Sequence, residues 1–313
     1  MIGNGVAAAR GGRGGGRAVG LLVVVFATSI VQPTVLVALP LLVMMALGAP
    51  RGAMATFVAI LATLVAIAGP RDGLWYVERA WALSVGGAFA ALSLVRPAWR
   101  VTSRAIASIV GASAVFTGFL VSRSSGWAAL DWTVSDRLRG GFATWVDAMA
   151  VLRDGQAPSP ALVGAIWRTV EAQVHVFPAL LALETVAALG LAWWLCERLA
   201  RGGGDGGLGP VAQFRFNDQL VWVMILGLVL LSVRLGDGAA RVGANLAVFM
   251  AGLYALRGFA VGLGVSGGIS LFGYAMIALG LVFMAPAVIA FAVLLGVADT
   301  WLDLRTRAAS LSA

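Results

Sequence analysis

Glu184 is the only ionisable residue in VFPALLALETVAALGLAWWL, residues 176–195. A carboxylate in such a stretch can accept hydrogen bonds, hold a cation or carry a proton. Left ionised near the centre of a bilayer it costs roughly 2.5–3.5 kcal/mol on insertion scales, so it needs company. Arg257, in NLAVFMAGLYALRGFAVGL, is the opposite charge best placed to supply it. At 1.5 Å per residue the two lie about 12 Å and about 22 Å from the outer membrane edge, a gap that long side chains or a water can close. Asn245 and Tyr254 on the same stretch as Arg257 add hydrogen-bonding groups. Glu184, Arg257, Asn245 and Tyr254 are therefore the candidate ligand-binding set. The competing reading is a structural polar clamp, or an arginine that snorkels to the interface.

Other charged groups read as structural. In Phe214-Arg215-Phe216-Asn217-Asp218, Asn217 or Asp218 can cap the helix that follows, with aromatics and arginine at headgroup level. Asp299, Asp303 and Arg305 are spaced for local pairing on a helix end. Glu78 and Arg79 open another apolar stretch, with Trp75, Tyr76 and Trp81 as interfacial aromatics. Enzyme signatures with the right context are absent: no HExxH or GxxxxGK occurs, the GVSGG at 264–268 joins two apolar helices as a turn, follows no strand and has no credible base near its serine, and one cysteine (Cys196) with one histidine (His175) builds no metal centre. No cofactor or metal is expected.

The elements that must position these residues are membrane helices. The chain of 313 residues is 60% apolar and only 12% charged, whereas a soluble protein carries about a quarter charged residues. Apolar segments fall near 18–31, 34–49, 53–69, 77–95, 102–122, 176–199, 218–235, 242–263 and 268–302. Several approach the ~20 residues that cross a bilayer as helix. The expected fold is an all-α polytopic transmembrane bundle of about nine segments (eight to ten). The blocks 18–49 and 268–302 are overlong and carry Pro33 and Pro286, so the first is read as broken and the last as a possible extra crossing.

Four regions follow: a disordered basic tail (1–17), amino-terminal membrane helices (18–122), an external amphipathic connection (123–175) and carboxyl-terminal membrane helices (176–313). Within the connection, Leu138, Phe142, Trp145, Val146, Met149 and Leu152 share one helical face over 134–153. A second helix starts at Ser159-Pro160 and presents Leu162, Val163, Ile166, Trp167 and Val170 together. All basic residues are arginines, and the net charge is +8. Arg96, Arg100 and Arg104 mark one short loop and Arg198, Arg201 and Arg215 another, which places both on the cytoplasmic side and the long connection outside. A broken first block returns the amino terminus to the cytoplasm. The location implied is the bacterial inner membrane, with lipid as partner and no nucleic acid.

FRFNDQLVWVMILGLVLL (214–231), ANLAVFMAGLYALRGFAV (244–261) and GVADTWLDLRTR (296–307) together resemble the YybS-like family of uncharacterised bacterial membrane proteins. The broken amino-terminal helices, the polar insertion and the span opened at Pro178 agree with that layout. PLLVMMALGAPRGAMATFVAIL is similar in pattern to the substrate-binding membrane subunits of vitamin and metal uptake systems. The resemblance implies a fold and no established activity. The leading expectation is a non-enzymatic membrane protein that binds or helps move a small solute. The alternative is a scaffold that holds other membrane proteins through the amphipathic connection and the FRFND segment.

Overall fold

A computed structural model describes residues 21–22, 25, 31–49, 51–71, 73–152, 159–201, 213–233, 235–266 and 271–307. The tail 1–17, most of the segment 18–31 and the glycine-rich loop after Arg201 lie outside them. All regular structure among the described residues is helical. Two compact units form, Met1–Gly207 and Leu208–Ala313. The apolar segment 176–199 packs with the amino-terminal helices and so belongs to the first.

The first unit holds α1 (Pro33–Leu47), α2 (Gly52–Ile67), α3 (Trp75–Val95), α4 (Val101–Val121), α5 (Gly126–Leu152), α6 (Pro160–His175) and α7 (Phe177–Arg201). Helix α1 packs on α2, α3 and α7, while α4 bridges α3 and α7. The break in the first apolar block falls at Pro33, the first residue of α1, where proline's missing N–H leaves nothing unsatisfied. Farther along, the core closes around Leu39, Val85, Phe89, Ala188 and Leu189.

The amphipathic connection differs from expectation at its start. Its first helix begins at Gly126, eight residues before 134, because α4 and α5 meet at a tight corner over the Leu120 carbonyl that leaves no room for a side chain at Gly126. Leu130 and Val134 are buried against the bundle. The second helix starts as the sequence indicates, with the Ser159 hydroxyl accepting the Leu162 N–H at 3.3 Å and Pro160 at the first position. The apolar faces of α5 and α6 turn partly onto each other through Phe142 and Trp167, whose ring centroids are 5.4 Å apart.

The second unit holds a 3₁₀ turn (Asp218–Leu220), α8 (Val221–Ser232), α9 (Asp237–Val265) and α10 (Leu271–Leu302). Asn217 caps the turn, its Oδ1 accepting the Gln219 N–H at 3.0 Å. Glycines set the helix spacing. A Cβ on Gly243 would sit 2.8 Å from the Gly227 carbonyl oxygen, so α8 and α9 touch backbone to backbone. Gly258 and Gly296 do the same for α9 and α10; a Cβ on Gly258 would lie 2.7 Å from the Ala292 carbonyl carbon and clash with its oxygen. Small residues serve this purpose where lipid offers no hydrophobic drive between helices. The break expected at Pro286 occurs two residues earlier, at Met284 (φ −136°, ψ 35°). The bend is sharp. A Cβ on Gly280 would lie 3.1 Å from Val288 Cγ2, whereas eight residues of straight helix advance about 12 Å.

Four helices among the described residues are long and apolar enough to cross a membrane: Val101–Val121, Phe177–Leu199, Asp237–Val265 and Phe283–Leu302. Pro33–Leu47, Gly52–Ile67 and Asp218–Ser232 are apolar but shorter. The protein is a multi-pass membrane protein, and large apolar side chains such as Phe57, Phe119, Trp222, Phe283 and Phe291 face outward where lipid is their solvent.

Candidate functional site

Buried ionisable groups are concentrated in three places in the first unit and one in the second. Glu78 and Arg79 open α3 and are both buried against neighbouring helices. Glu78 Oε1 accepts the Gln32 N–H at 3.1 Å and so closes the amino end of α1. Arg79 closes the carboxyl end of α2, donating to the Ala66 and Ala68 carbonyls at 3.0 and 2.6 Å. The two side chains are joined at 3.3 Å, and Arg79 lies over the Trp75 ring at 4.5 Å. Trp75 and Trp81 are core residues here; only Tyr76 of the three aromatics is exposed.

Glu184 is fully buried on α7, with Leu181 one turn before it and Thr185 beside it. The Trp81 indole N–H donates to the Thr185 hydroxyl at 2.9 Å, which in turn donates to the Leu181 carbonyl at 2.6 Å. Trp81 and Leu181 also line a cavity of about 80 Å³. Its walls are aromatic and aliphatic, with Phe116, Trp127 and Phe177 prominent, and its only polar side chains are Ser113 and Thr117. Trp127 and Leu130, from the first turns of α5, form one wall of it.

At the opposite end of α4, Arg104 is buried inside the helix, not in the loop where its neighbours Arg96 and Arg100 lie. Its guanidinium stands over the Trp193 ring at 4.5 Å and faces Phe89 at 5.8 Å. That contact brings the start of α4 and the end of α7 together, so the arginines preceding α4 and those ending α7 share one end of the unit.

In the second unit Arg257 is 1% exposed and sits between two aspartates. Its Nε donates to Asp299 at 3.0 Å and a terminal nitrogen to Asp218 at 2.5 Å. Arg305 donates to the same Asp299 oxygen at 2.7 Å and to the Phe214 carbonyl at 3.1 Å. Arg215 pairs with Asp303. Phe216 covers the centre, 5.5 Å beneath Arg257 and 5.1 Å from the Tyr254 ring, and the Tyr254 hydroxyl faces Thr300. The backbone contact at Gly258 and Gly296 is what lets Arg257 reach Asp299. The Asp303 carboxyl, past the end of α10, is held below its usual range by the Thr306 hydroxyl and by Arg215.

The four residues singled out from sequence are thus distributed. Arg257 and Tyr254 share the second unit's cluster. Asn245, twelve residues before Arg257 on α9, lies about 18 Å along the helix from it and donates to the Arg241 carbonyl at 2.9 Å. Glu184 belongs to the first unit. The carboxylates on Arg257 are Asp218 and Asp299, which depth arithmetic along single helices had no means of finding. What sequence reading did hold was the set FRFND, ALRGF and ADTWLDLR: the three stretches carrying the family resemblance converge on this one cluster. Among the described residues no group of three metal-ligating side chains occurs.

Residues 148–300 match a family described as "Predicted membrane protein (DUF2232)". The matched stretch takes in Glu184, Asp218, Arg257 and Asp299, and its description supports an uncharacterised family of membrane proteins. No curated protein and no solved structure matches the chain.

Proposed function

We propose that this protein of the bacterial cytoplasmic membrane binds a small apolar or aromatic solute between α3, α4 and α7, admitted from the outer side. The observation that carries the reading is the half-open aromatic pocket walled by α3, α4, α7 and the start of α5. At about 80 Å³ it is smaller than the ~150 Å³ apolar cavity that admits benzene, so part of a ring-sized solute stays in its open mouth. Glu184, one turn deeper than Leu181, is the acceptor for a donor or cationic group on the solute. The arginines gathered where α4 begins and α7 ends support a cytoplasmic position for that end, and so an outer one for the cavity at the other end of α4. The amino terminus is cytoplasmic in this reading, and Arg257 with Tyr254 latches the second unit.

The test is purification from native membrane in mild detergent, followed by solvent extraction and mass spectrometry of bound small molecules. Wild-type protein should carry a ring-bearing species near one equivalent, and Ser113→Leu, which fills the cavity, should lack it. Equal content in the two proteins, or none in the wild type, refutes the reading. A scaffold role draws on a different observation: Trp132, Trp145 and Val151 on α5 stay exposed beside Asp136 and Arg139. It requires that stoichiometric partner proteins be lost on Trp132→Ala.

A further inference from the structure

Arg104 is 4% exposed, yet its Nε has no hydrogen-bond partner among the described residues. The same holds for Trp193 Nε1, on the ring against which the guanidinium stacks. Two buried donors side by side, one of them on a permanent cation, are a costly arrangement unless an acceptor fills them. Rings supply part of the compensation, since Trp193 and Phe89 both present faces to the cation. They do not satisfy the N–H groups, and a guanidinium beside a second N–H donor is a set that an oxyanion matches.

The surroundings favour the same partner. Arg100 caps α4 without a side-chain hydrogen bond to its first amides, so the positive end of that 21-residue helix is open. Side chains on a helix lean toward its amino end, which directs Arg104 toward those amides. Arg96 and Arg100 precede α4 and Arg198 ends α7, while Glu197 is the carboxylate whose field reaches Arg104. Four arginines against one glutamate leave this end strongly positive.

We propose that the Arg104–Trp193 recess, where α3 and α7 end and α4 begins, binds a phosphate oxyanion, carried by an anionic phospholipid headgroup or by free phosphate. The guanidinium fork, the indole N–H and the open amides of α4 supply the donors, and Phe89 closes the floor. This site is independent of the solute cavity at the other end of the unit.

The experiment is a thermal-unfolding titration of the full chain in detergent, at constant ionic strength, with short-chain phosphatidylglycerol, with inorganic phosphate, and with chloride as control. The wild type should gain melting temperature saturably with at least one phosphate-bearing probe and not with chloride. Response to phosphatidylglycerol alone assigns a lipid headgroup, and response to phosphate assigns the free anion. Arg104→Met should weaken the apparent affinity roughly tenfold or more, as loss of a charged donor set implies. Trp193→Phe keeps an aromatic face under Arg104 and removes one donor, and should weaken the affinity about threefold. That milder variant decides the matter if Arg104→Met does not fold. No response to either phosphate probe, or an unchanged affinity in Trp193→Phe and Arg104→Met, overturns the proposal.

Discussion

Substituting Gly258 by alanine should be the most damaging single-methyl change in the second unit. The added Cβ would lie 2.7 Å from the Ala292 carbonyl carbon, where carbon atoms sit comfortably at about 3.5–4.0 Å. Relief of the closer clash with the Ala292 carbonyl oxygen requires α9 and α10 to part by about 1.5 Å. The Arg257 Nε–Asp299 bond, 3.0 Å in the native packing, then stretches past the ~3.2 Å at which such a bond holds. Overpacking alone costs about 1–3 kcal/mol. Depriving a buried arginine of one carboxylate adds to that, with about 3–5 kcal/mol as the figure for outright removal of a partner. With Asp218 still in place the combined loss should be about 3–5 kcal/mol. The control lies one turn on: a Cβ at Gly262 meets nothing within 4 Å, so Gly262→Ala should stabilise α9 by about 0.5–1 kcal/mol. Both are read by reversible unfolding in mixed micelles, tracking helicity. If the two variants unfold alike, close approach of α9 and α10 is not what holds Arg257 in place.

Three further outcomes follow from other contacts. Arg79→Ala removes the closure of α2 and strands buried Glu78, and should destabilise the first unit by about 3–5 kcal/mol, with Arg79→Lys rescuing poorly because a single ammonium cannot span the Ala66 and Ala68 carbonyls; unfolding midpoints of the two variants decide this. A double-mutant cycle on Trp81→Phe and Thr185→Val should return a coupling near 1 kcal/mol, and additivity would mean the indole bond contributes nothing. Asp303 has its folded pKa depressed, so its contribution is present above the unfolded value of 3.8 and fades as pH falls through the folded one. Asp303→Asn, which tolerates the φ of +41° at that position, should therefore be less stable than wild type at neutral pH and converge with it in strong acid; a constant difference across the titration would exclude the Thr306 and Arg215 bonds as its source.

The membrane class was readable from long apolar runs, because lipid imposes one requirement on every residue of a span. Helix starts with a chemical mark, such as Ser159-Pro160 and Asn217, were readable for the same local reason. Partners across helices were not. Arg257 finds Asp299 through a glycine contact, and a lone glycine in an apolar run looks like any other until its neighbour is known. Glu78 and Arg79 sit where an interfacial pair would, and only packing of α1 and α2 turns them inward. Arg104 was read with Arg96 and Arg100 as a loop charge because all three are arginines near one segment end, whereas the helix begins at Val101 and buries Arg104 in its first turn, with the guanidinium over the Trp193 ring.

The latch on Arg257 has a bearing on synthesis. Its second carboxylate arrives 42 residues later in the chain, which at ~5–20 residues per second leaves the ribosome about 2–8 s behind. For that interval the nascent hairpin of α8 and α9 must keep a cation waiting with Asp218 alone. A polypeptide released before Asp299 emerges therefore presents quality-control proteases with an unfinished ion pair at its own terminus.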